Sequence, residues 1–270
     1  MAMTDDQRKL IGYRMSASAW AIGAAKIPLD KWQQKVLMSG AKRVGILACR
    51  QAGKSTITAV KAGHTAIFQE GSTSVLVAPG ERQSRLLLSR VKDALRAVPK
   101  KFSCPISKES EGRLIFENHS QIVALPGANP DALRGYSING ILATDEASWA
   151  LDDDGGGEGS SLMAAVMPAL SVAGGRAFFI SSAGVEGSLF YKIVEEGHGG
   201  FDIHRVCKED VPRLTPEVIE AMRQVLSPGE FQREVLNEWS SEDVGALDVS
   251  AFRAAVTEGP TLDLGSMLAV

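Results

Sequence analysis

The segment LACRQAGKST, residues 47–56, combines residue types that together can hold phosphate groups. The apolar run at 43–49 predicts a buried strand, and the pattern from Lys54 onward predicts a helix that follows a glycine turn. Such a turn directs backbone N–H groups at one point, where the helix dipole is positive and a lysine can reach the β and γ phosphates of a nucleotide. The Ser55 hydroxyl is then placed to ligate Mg²⁺. We therefore predict a nucleotide site in this segment.

This phosphate-binding loop departs from the usual pattern G-x-x-x-x-G-K-[ST] at its first position, where Ala48 replaces a glycine. A small residue tolerates the turn as long as its φ stays negative. The alternative interpretation is a helix start that only happens to read GKST, but the strand before it and the helix after it favour the nucleotide site. The candidate phosphate-binding residues are Arg50, Gln51, Ala52, Gly53, Lys54, Ser55 and Thr56.

A second motif, ILATDEA at 141–147, predicts a buried strand that ends in the carboxylates of Asp145 and Glu146. Parallel α/β sheets bind their ligands at the carboxyl ends of their strands. In nucleotide hydrolases of the additional-strand type, an acid at such a position holds the Mg²⁺ shell, usually through water, and the next glutamate polarises the attacking water. The two carboxylates fit these roles, although they could instead form a solvated turn. The two motifs together are more specific than either alone.

The rest of the chain alternates strands with helices, which favours a mostly parallel α/β sheet. We predict further strands at 73–80, 176–184 and 201–207, a hairpin at 113–127, a mobile acidic loop at 152–161, and helices at 5–26, 29–37, 81–98, 161–171 and 187–196. After Lys208 the pattern changes to two consecutive helices, each entered through Ser/Thr-Pro. We divide the chain into an α/β core at 1–207 with a helical lead-in at 1–27, a helical lid subdomain at 208–243, and a linker or truncated start of another domain at 244–270.

Composition and charge limit the classes of partner. The net charge of −3 and the pI near 5.9 argue against nucleic-acid binding by the whole surface, so a DNA contact would be local or transient. No apolar run approaches the roughly 20 residues that span a bilayer, and the N-terminus lacks the apolar segment of a signal peptide. The three cysteines have no C-x-x-C pairing, which favours reduced thiols in a cytosolic setting over a zinc site.

The combination of CRQAGKS and LATDEA resembles the ATPase domain of the large terminase subunits that package DNA in tailed bacteriophages. In that family the phosphate loop often lacks its first glycine and carries an arginine at the position of Arg50. The resemblance covers roughly residues 25–245. It implies a P-loop NTPase fold of the additional-strand (ASCE) type, with a mostly parallel central sheet flanked by helices and a small helical lid subdomain.

The resemblance also implies roles for residues at the nucleotide itself. Arg50 is expected to contact the γ-phosphate, and Glu146 to orient the attacking water. The segment PLDKWQQKVL matches the adenine-recognition segment of the family, with Trp32 and Gln33 at the corresponding places. The alternative for Trp32 is a packing role in the core.

Two further segments match the family more weakly. LRGYS at 133–137 resembles its arginine-glycine segment, which makes Arg134 a candidate arginine finger that acts on the nucleotide of a neighbouring subunit. SSAG at 181–184 lies where the family has its coupling motif, so Ser181 and Ser182 are expected to sense the γ-phosphate. The alternatives are a surface anchor for the arginine and a helix cap for the serines.

The function that the resemblance implies is hydrolysis of Mg-ATP coupled to translocation of double-stranded DNA into a procapsid. The expected partners are DNA, the portal and the small terminase subunit, in a homo-oligomeric ring at the procapsid in the host cytoplasm, with a possible monomer in isolation and no membrane association. We expect no nuclease activity, because only seven residues follow Asp263, the one candidate for a first nuclease aspartate. The alternatives are a helicase or translocase, and a nucleotide-gated binding module without turnover.

Overall fold

The structure is a computed structural model that describes residues 3–127, 130–147 and 167–240. The helices are α1 (Asp5–Met15), α2 (Ala17–Gly23), α3 (Lys31–Met38), α4 (Lys54–Phe68), α5 (Glu81–Arg96), α6 (Pro130–Arg134), α7 (Leu189–Glu195), α8 (Pro216–Val225) and α9 (Pro228–Phe231). A π-helical turn at Gln232–Leu236 follows α9, and residues 167–173 are also helical. The strands are β1 (Arg43–Ala48), β2 (Thr73–Ala78), β3 (Ile106–Glu109), β4 (Arg113–Phe116), β5 (Gln121–Pro126), β6 (Ile141–Asp145), β7 (Arg176–Ser181) and β8 (Asp202–Val206).

In the part of the chain that the structure describes, these eight strands form one sheet in the order β3-β4-β5-β2-β6-β7-β1-β8. Six neighbouring strands of this order pair in parallel: β5, β2, β6, β7, β1 and β8. The hairpin of β3 and β4 extends the sheet beside β5 with antiparallel pairing. β7 lies between β1, which leads into the phosphate-binding loop, and β6, which carries the paired acids. This inserted strand defines the additional-strand type, so the predicted fold class is confirmed.

Most predicted elements occur close to their expected positions. The hairpin at 113–127 is confirmed as β4 and β5, and α3 begins after the N-cap residue Asp30. The helix predicted at 5–26 is instead two helices, because Ser16 ends α1 in extended backbone and its side chain caps α2. The acidic loop and most of the helix at 161–171 lie outside the described residues.

Buried apolar side chains cover both faces of the sheet, as expected when helices pack on each side of parallel strands. Neighbouring residues of one strand contribute to opposite faces: Phe178 belongs to the cluster under α4 and α5, and Phe179 to the cluster under α7. This packing fixes the strand ends on which the site depends. None of the described helices is both long and apolar enough to cross a membrane.

Candidate nucleotide site

The phosphate-binding loop joins β1 to α4 as its sequence predicts. β1 ends at the buried Ala48, and α4 begins at Lys54. Gly53 is the N-cap residue, with φ 89° and ψ 32°, a left-handed conformation that disfavours residues with a Cβ. Gln51 also has a positive φ, of 60°. The glycine of GKS is therefore required by the backbone, whereas Ala48 occupies the last position of a regular strand, where no glycine is needed.

Lys54 is buried at the base of this loop. Its Nζ donates a hydrogen bond to the Ala48 carbonyl over 3.2 Å and lies 4.0 Å from Oε1 of Glu146. The ammonium group is thus held between the ends of β1 and β6. It occupies the place from which a phosphate on the loop amides can be contacted.

Ser55 and Asp145 come from motifs 90 residues apart and meet in the structure. The Ser55 Oγ donates a hydrogen bond of 3.1 Å to Oδ2 of Asp145. A hydroxyl and a carboxylate oxygen are ligand types that Mg²⁺ accepts, usually together with water and phosphate oxygens. The pair therefore fits a magnesium site beside the phosphate-binding loop.

Glu146 follows β6 in a left-handed conformation, with φ 57°, which is uncommon for a residue with a side chain. Burial is the largest cause that raises the pKa of Glu146, ahead of the opposing attraction of Lys54. The neighbouring carboxylates of Asp145 and Glu234 raise that pKa further. The side chain keeps 41% of its surface exposed, so a water molecule can reach the carboxylate. A raised pKa makes it a stronger proton acceptor than an ordinary glutamate.

β7 brings the predicted coupling segment to the same end of the sheet, which we call the carboxyl edge: the ends of β1, β6 and β7. Ser181 pairs with Leu47 of β1, and both Ser181 and Ser182 are buried. The Ser182 Oγ donates to Oε2 of Glu234 over 3.2 Å. The structure thus brings the segment beside the loop, while its coupling role stays a prediction.

Trp32 and Gln33 of α3 differ in what they contact. Trp32 is buried among apolar residues of the core, and its indole Nε1 has no hydrogen-bond partner among the described residues. The Gln33 Oε1 accepts a hydrogen bond from the Asp30 N–H, and its Nε2 donates to the Gly53 carbonyl over 3.2 Å. Gln33 therefore connects α3 to the phosphate-binding loop. The adenine contact of both residues stays a prediction.

Arg213 is a residue of this site that the sequence analysis missed. From the segment between β8 and α8, its Nε donates to the Gln51 carbonyl over 3.0 Å and its Nη2 to the Ala52 carbonyl. Its Nη1 contacts Oδ2 of Asp30 over 2.9 Å. One guanidinium thus fixes two carbonyls of the loop and the start of α3. No local pattern marks Arg213, because all three partners are more than 160 residues away in sequence.

Glu234 was also missed, and it connects the π-helical turn to the carboxyl edge. Its backbone oxygen accepts a hydrogen bond from the Arg50 N–H over 2.5 Å, and its carboxylate accepts the bond from Ser182. The C-terminal part of the described chain therefore contacts both the phosphate-binding loop and the predicted coupling segment.

The two predicted arginines lie in different surroundings. Arg50 is exposed on the loop, close enough to Glu146 for its charge to lower the pKa of that carboxyl. Arg134 is exposed at the end of α6 and lines a cavity of about 580 Å³ with Tyr136 and Val172. None of the described residues that line this cavity belongs to the phosphate-binding loop. Arg50 therefore lies near Glu146, while its contact with the γ-phosphate and the finger role of Arg134 stay predictions.

No protein-family model matches this chain. Among solved structures it is similar to the large terminase ATPase domain of Thermus phage P74-26, with a TM-score of 0.68 and 22% identity, over 89% of this chain and 100% of that one. The large terminase of the thermophilic bacteriophage D6E in complex with ATP-γ-S matches with a TM-score of 0.61 and 16% identity, over 78% of this chain and 53% of that one.

The large terminase of bacteriophage HK97 matches with a TM-score of 0.61 and 17% identity, over 88% of this chain and 56% of that one. This chain thus spans about half the length of the D6E and HK97 proteins. At these identities the comparison establishes the fold. The chain has the α/β fold of the ATPase domains of phage large terminases, which are P-loop NTPases.

Proposed function

We propose that this chain is the ATP-hydrolysing motor domain of a DNA-packaging terminase, which couples Mg-ATP hydrolysis to translocation of double-stranded DNA into a procapsid. The observation that carries the proposal is the meeting of two distant motifs at the carboxyl edge, where Ser55 contacts Asp145 and Lys54 lies beside Glu146. The fold shared with terminase ATPase domains supports the motor assignment, and the D6E terminase bound to ATP-γ-S supports the nucleotide.

In this proposal the phosphates of ATP are held by the backbone amides of residues 50–55, by Lys54 and by Arg50. Ser55 would ligate Mg²⁺ and Asp145 would order its water shell. Held there, the cation would neutralise charge on the phosphates. Trp32 and Gln33 belong to the segment that contacts the adenine.

Glu146 orients water for in-line attack on the γ-phosphate and accepts its proton, while the bond from the γ-phosphorus to the bridging oxygen breaks and ADP leaves. Its raised pKa and its partial exposure support this role. Arg134 contacts the nucleotide of a neighbouring subunit in a ring. A finger supplied in this way is worth about 10³-fold to 10⁵-fold in rate, so an isolated monomer is expected to be slow.

In this proposal, nucleotide binding is coupled to DNA movement through the hydrogen bond from the Arg50 N–H to the Glu234 carbonyl. Phosphate bound to the loop competes for the Arg50 N–H, which now donates to the Glu234 carbonyl. Release of this bond frees the π-helical turn, and the Glu234 carboxylate transmits the change to Ser182. In the motor, residues 208–243 act as a lid whose motion moves DNA, together with the portal and the small subunit in the host cytoplasm.

The test is the ATPase rate as a function of protein concentration, for the wild type and for Arg134→Ala. We expect the specific activity of the wild type to rise with concentration, and that of Arg134→Ala to stay at the low-concentration rate. Arg82→Ala, which alters an exposed arginine of α5, is the matched control and should follow the wild type. A wild-type rate that is independent of concentration and equal in Arg134→Ala would exclude the trans finger. Nucleotide binding without hydrolysis at any concentration would favour the gated binding module.

A further inference from the structure

A second charged cavity lies at the opposite end of the sheet from the nucleotide site. It occupies about 290 Å³ beside the first residues of β6 and β7, and α4 and the end of α1 contribute to it. Its ionisable lining residues are Arg14, Lys61, His64 and Arg176, and no carboxylate is among the described residues that line it. We call it the basic pocket. A pocket with three basic side chains and no carboxylate among its described lining residues is unexpected in a chain whose net charge is −3.

Lys61 is the central residue of the basic pocket. It is only 9% exposed, and its ammonium group makes no hydrogen bond or ion pair with any residue that the structure describes. Its Nζ lies 5.8 Å from the centroid of the Phe178 ring. Buried lysines are almost always paired, and none of the described residues supplies Lys61 with the anion that would normally accompany it.

Arg176 places a second cation against the same ring. Its guanidinium carbon lies 5.2 Å from the Phe178 centroid. Hydrogen bonds from Nε and Nη2 to the carbonyls of Ser39 and Ala41 hold the guanidinium in place, while Nη1 makes none among the described residues. The arginine is therefore oriented before any ligand arrives, and it keeps donors for one.

The positive charges of Lys61 and Arg176 repel one another across the pocket. Burial, and to a smaller extent the charge of Arg176, lowers the pKa of Lys61 to about 8. The lysine is still mostly protonated at neutral pH. An anion between the two side chains would remove this repulsion and supply the missing hydrogen-bond acceptors.

We propose that the basic pocket binds a phosphate group, held by the ammonium of Lys61 and the guanidinium of Arg176 with Arg14 at its rim. Arginine and lysine together are the usual ligands of phosphate oxygens in proteins. The volume of the pocket, about 290 Å³, exceeds that of one phosphate group, so the bound phosphate can also be part of a longer molecule. The source is either free phosphate or the backbone of DNA, and only the second rests on the proposed packaging function.

The first experiment is a calorimetric titration of ADP-saturated protein with inorganic phosphate, because bound ADP occupies the phosphate-binding loop. The wild type should bind one phosphate. Lys61→Met, which keeps an apolar stem and removes the charge, should weaken that binding at least tenfold. Lys100→Met, which alters an exposed lysine, should bind as the wild type. Equal ADP affinity in all three proteins shows that both variants are folded.

Two results would overturn the proposal. One is a wild type that binds no phosphate while ADP is bound. The other is a Lys61→Met protein that binds phosphate as well as Lys100→Met does, since the phosphate would then occupy a different site.

A second titration with a short DNA duplex distinguishes the two sources. If the pocket takes a backbone phosphate, the duplex displaces inorganic phosphate, and Lys61→Met lowers the slope of log K against log salt by about 0.9, the value for one phosphate contact. If phosphate binding depends on Lys61 but the duplex does not compete, the ligand is free phosphate. Either variant should keep the wild-type ATPase rate, so a failure of the proposed hydrolysis and a failure of this site are separate results.

Discussion

Two lysines of the same helix show how the two ends of the sheet differ. Lys54 begins α4 at the carboxyl edge, and Lys61 lies two turns further along, at the basic pocket. Both are buried, at 8% and 9% exposure. Lys54, however, has the Ala48 carbonyl and Glu146 as neighbours, whereas Lys61 has cations and an aromatic ring.

This difference predicts different chemistry at the two ends. At the carboxyl edge, the acids Asp145 and Glu146 accompany the lysine, so the site can hold a metal ion and activate water as well as bind phosphate. At the basic pocket, none of the described lining residues is a carboxylate, so the pocket lacks the negative charge that would hold a metal ion. The first arrangement suits hydrolysis of a nucleotide, and the second suits only the binding of an anion.

The largest expected effect comes from exchanging each lysine for methionine. Lys54→Met should lower the ATPase rate by about 10³-fold, because it removes a charge from the developing phosphoryl transition state, a loss of about 4 kcal/mol. Lys61→Met should retain the wild-type rate. Steady-state ATPase assays of the two variants at one protein concentration make the measurement. Equal losses of ATPase rate would contradict this difference between the two ends of the sheet, since they would mean that both lysines serve one site.

The next effect concerns stability below neutral pH. Burial lowers the pKa of His64 to about 4, from 6.5, with a smaller contribution of the same sign from Lys61, although the Tyr13 carbonyl opposes it. Because the unfolded chain binds this proton more readily, stability is complete above pH 6.5 and is lost as the pH falls towards 4. The loss at the acid end is of the order of 3 kcal/mol.

Urea unfolding of the wild type and His64→Gln between pH 7 and pH 4 tests this. The variant should lose less stability over that range than the wild type, and His198→Gln, at an exposed histidine, should lose as much as the wild type. Phosphate in the buffer should reduce the wild-type loss, because an anion in the basic pocket favours protonated His64. Parallel pH profiles for wild type and His64→Gln would show that this histidine titrates normally.

The smallest of the three effects concerns Arg213, which connects the C-terminal segment to the phosphate-binding loop. Arg213→Ala should raise the KM for ATP by about tenfold, because two loop carbonyls and Asp30 lose their common partner, a loss of about 1–2 kcal/mol. Arg223→Ala on α8 removes an exposed pair with Glu220 and a cation–π contact with Phe231. Neither interaction involves the phosphate-binding loop, so this variant should leave KM unchanged. If both variants match the wild type, Arg213 does not order the loop.

The sequence predicts the carboxyl edge well because its signals are local. Each signal depends on the geometry of a few adjacent residues. The signals are the apolar run and the glycine that precede Lys54, and the acidic pair that follows a second apolar run. The parallel sheet then brings the ends of its strands together. The contact between Ser55 and Asp145 follows from these facts, although the two residues are distant in sequence.

The sequence predicts the rest poorly, because the remaining contacts depend on tertiary packing. Arg213 reads as a surface charge in a turn and Glu234 as a surface charge on a short helical segment. Only the folded chain brings them to the loop. Lys61 is one of two lysines in α4, and nothing in the sequence pattern marks its burial. The left-handed backbone of Glu146 is likewise invisible in the sequence, since strained positions are set by their surroundings.

The most direct test of the central claim compares ATP binding and hydrolysis in the wild type and Glu146→Gln under identical conditions. The amide keeps the size of the side chain but cannot accept a proton. We predict that Glu146→Gln binds ATP within about threefold of the wild type and hydrolyses it about 10²-fold to 10⁴-fold more slowly. If Glu146→Gln hydrolyses ATP at the wild-type rate, Glu146 is not the residue that activates water, and the assignment of the carboxyl edge as a hydrolytic site is wrong.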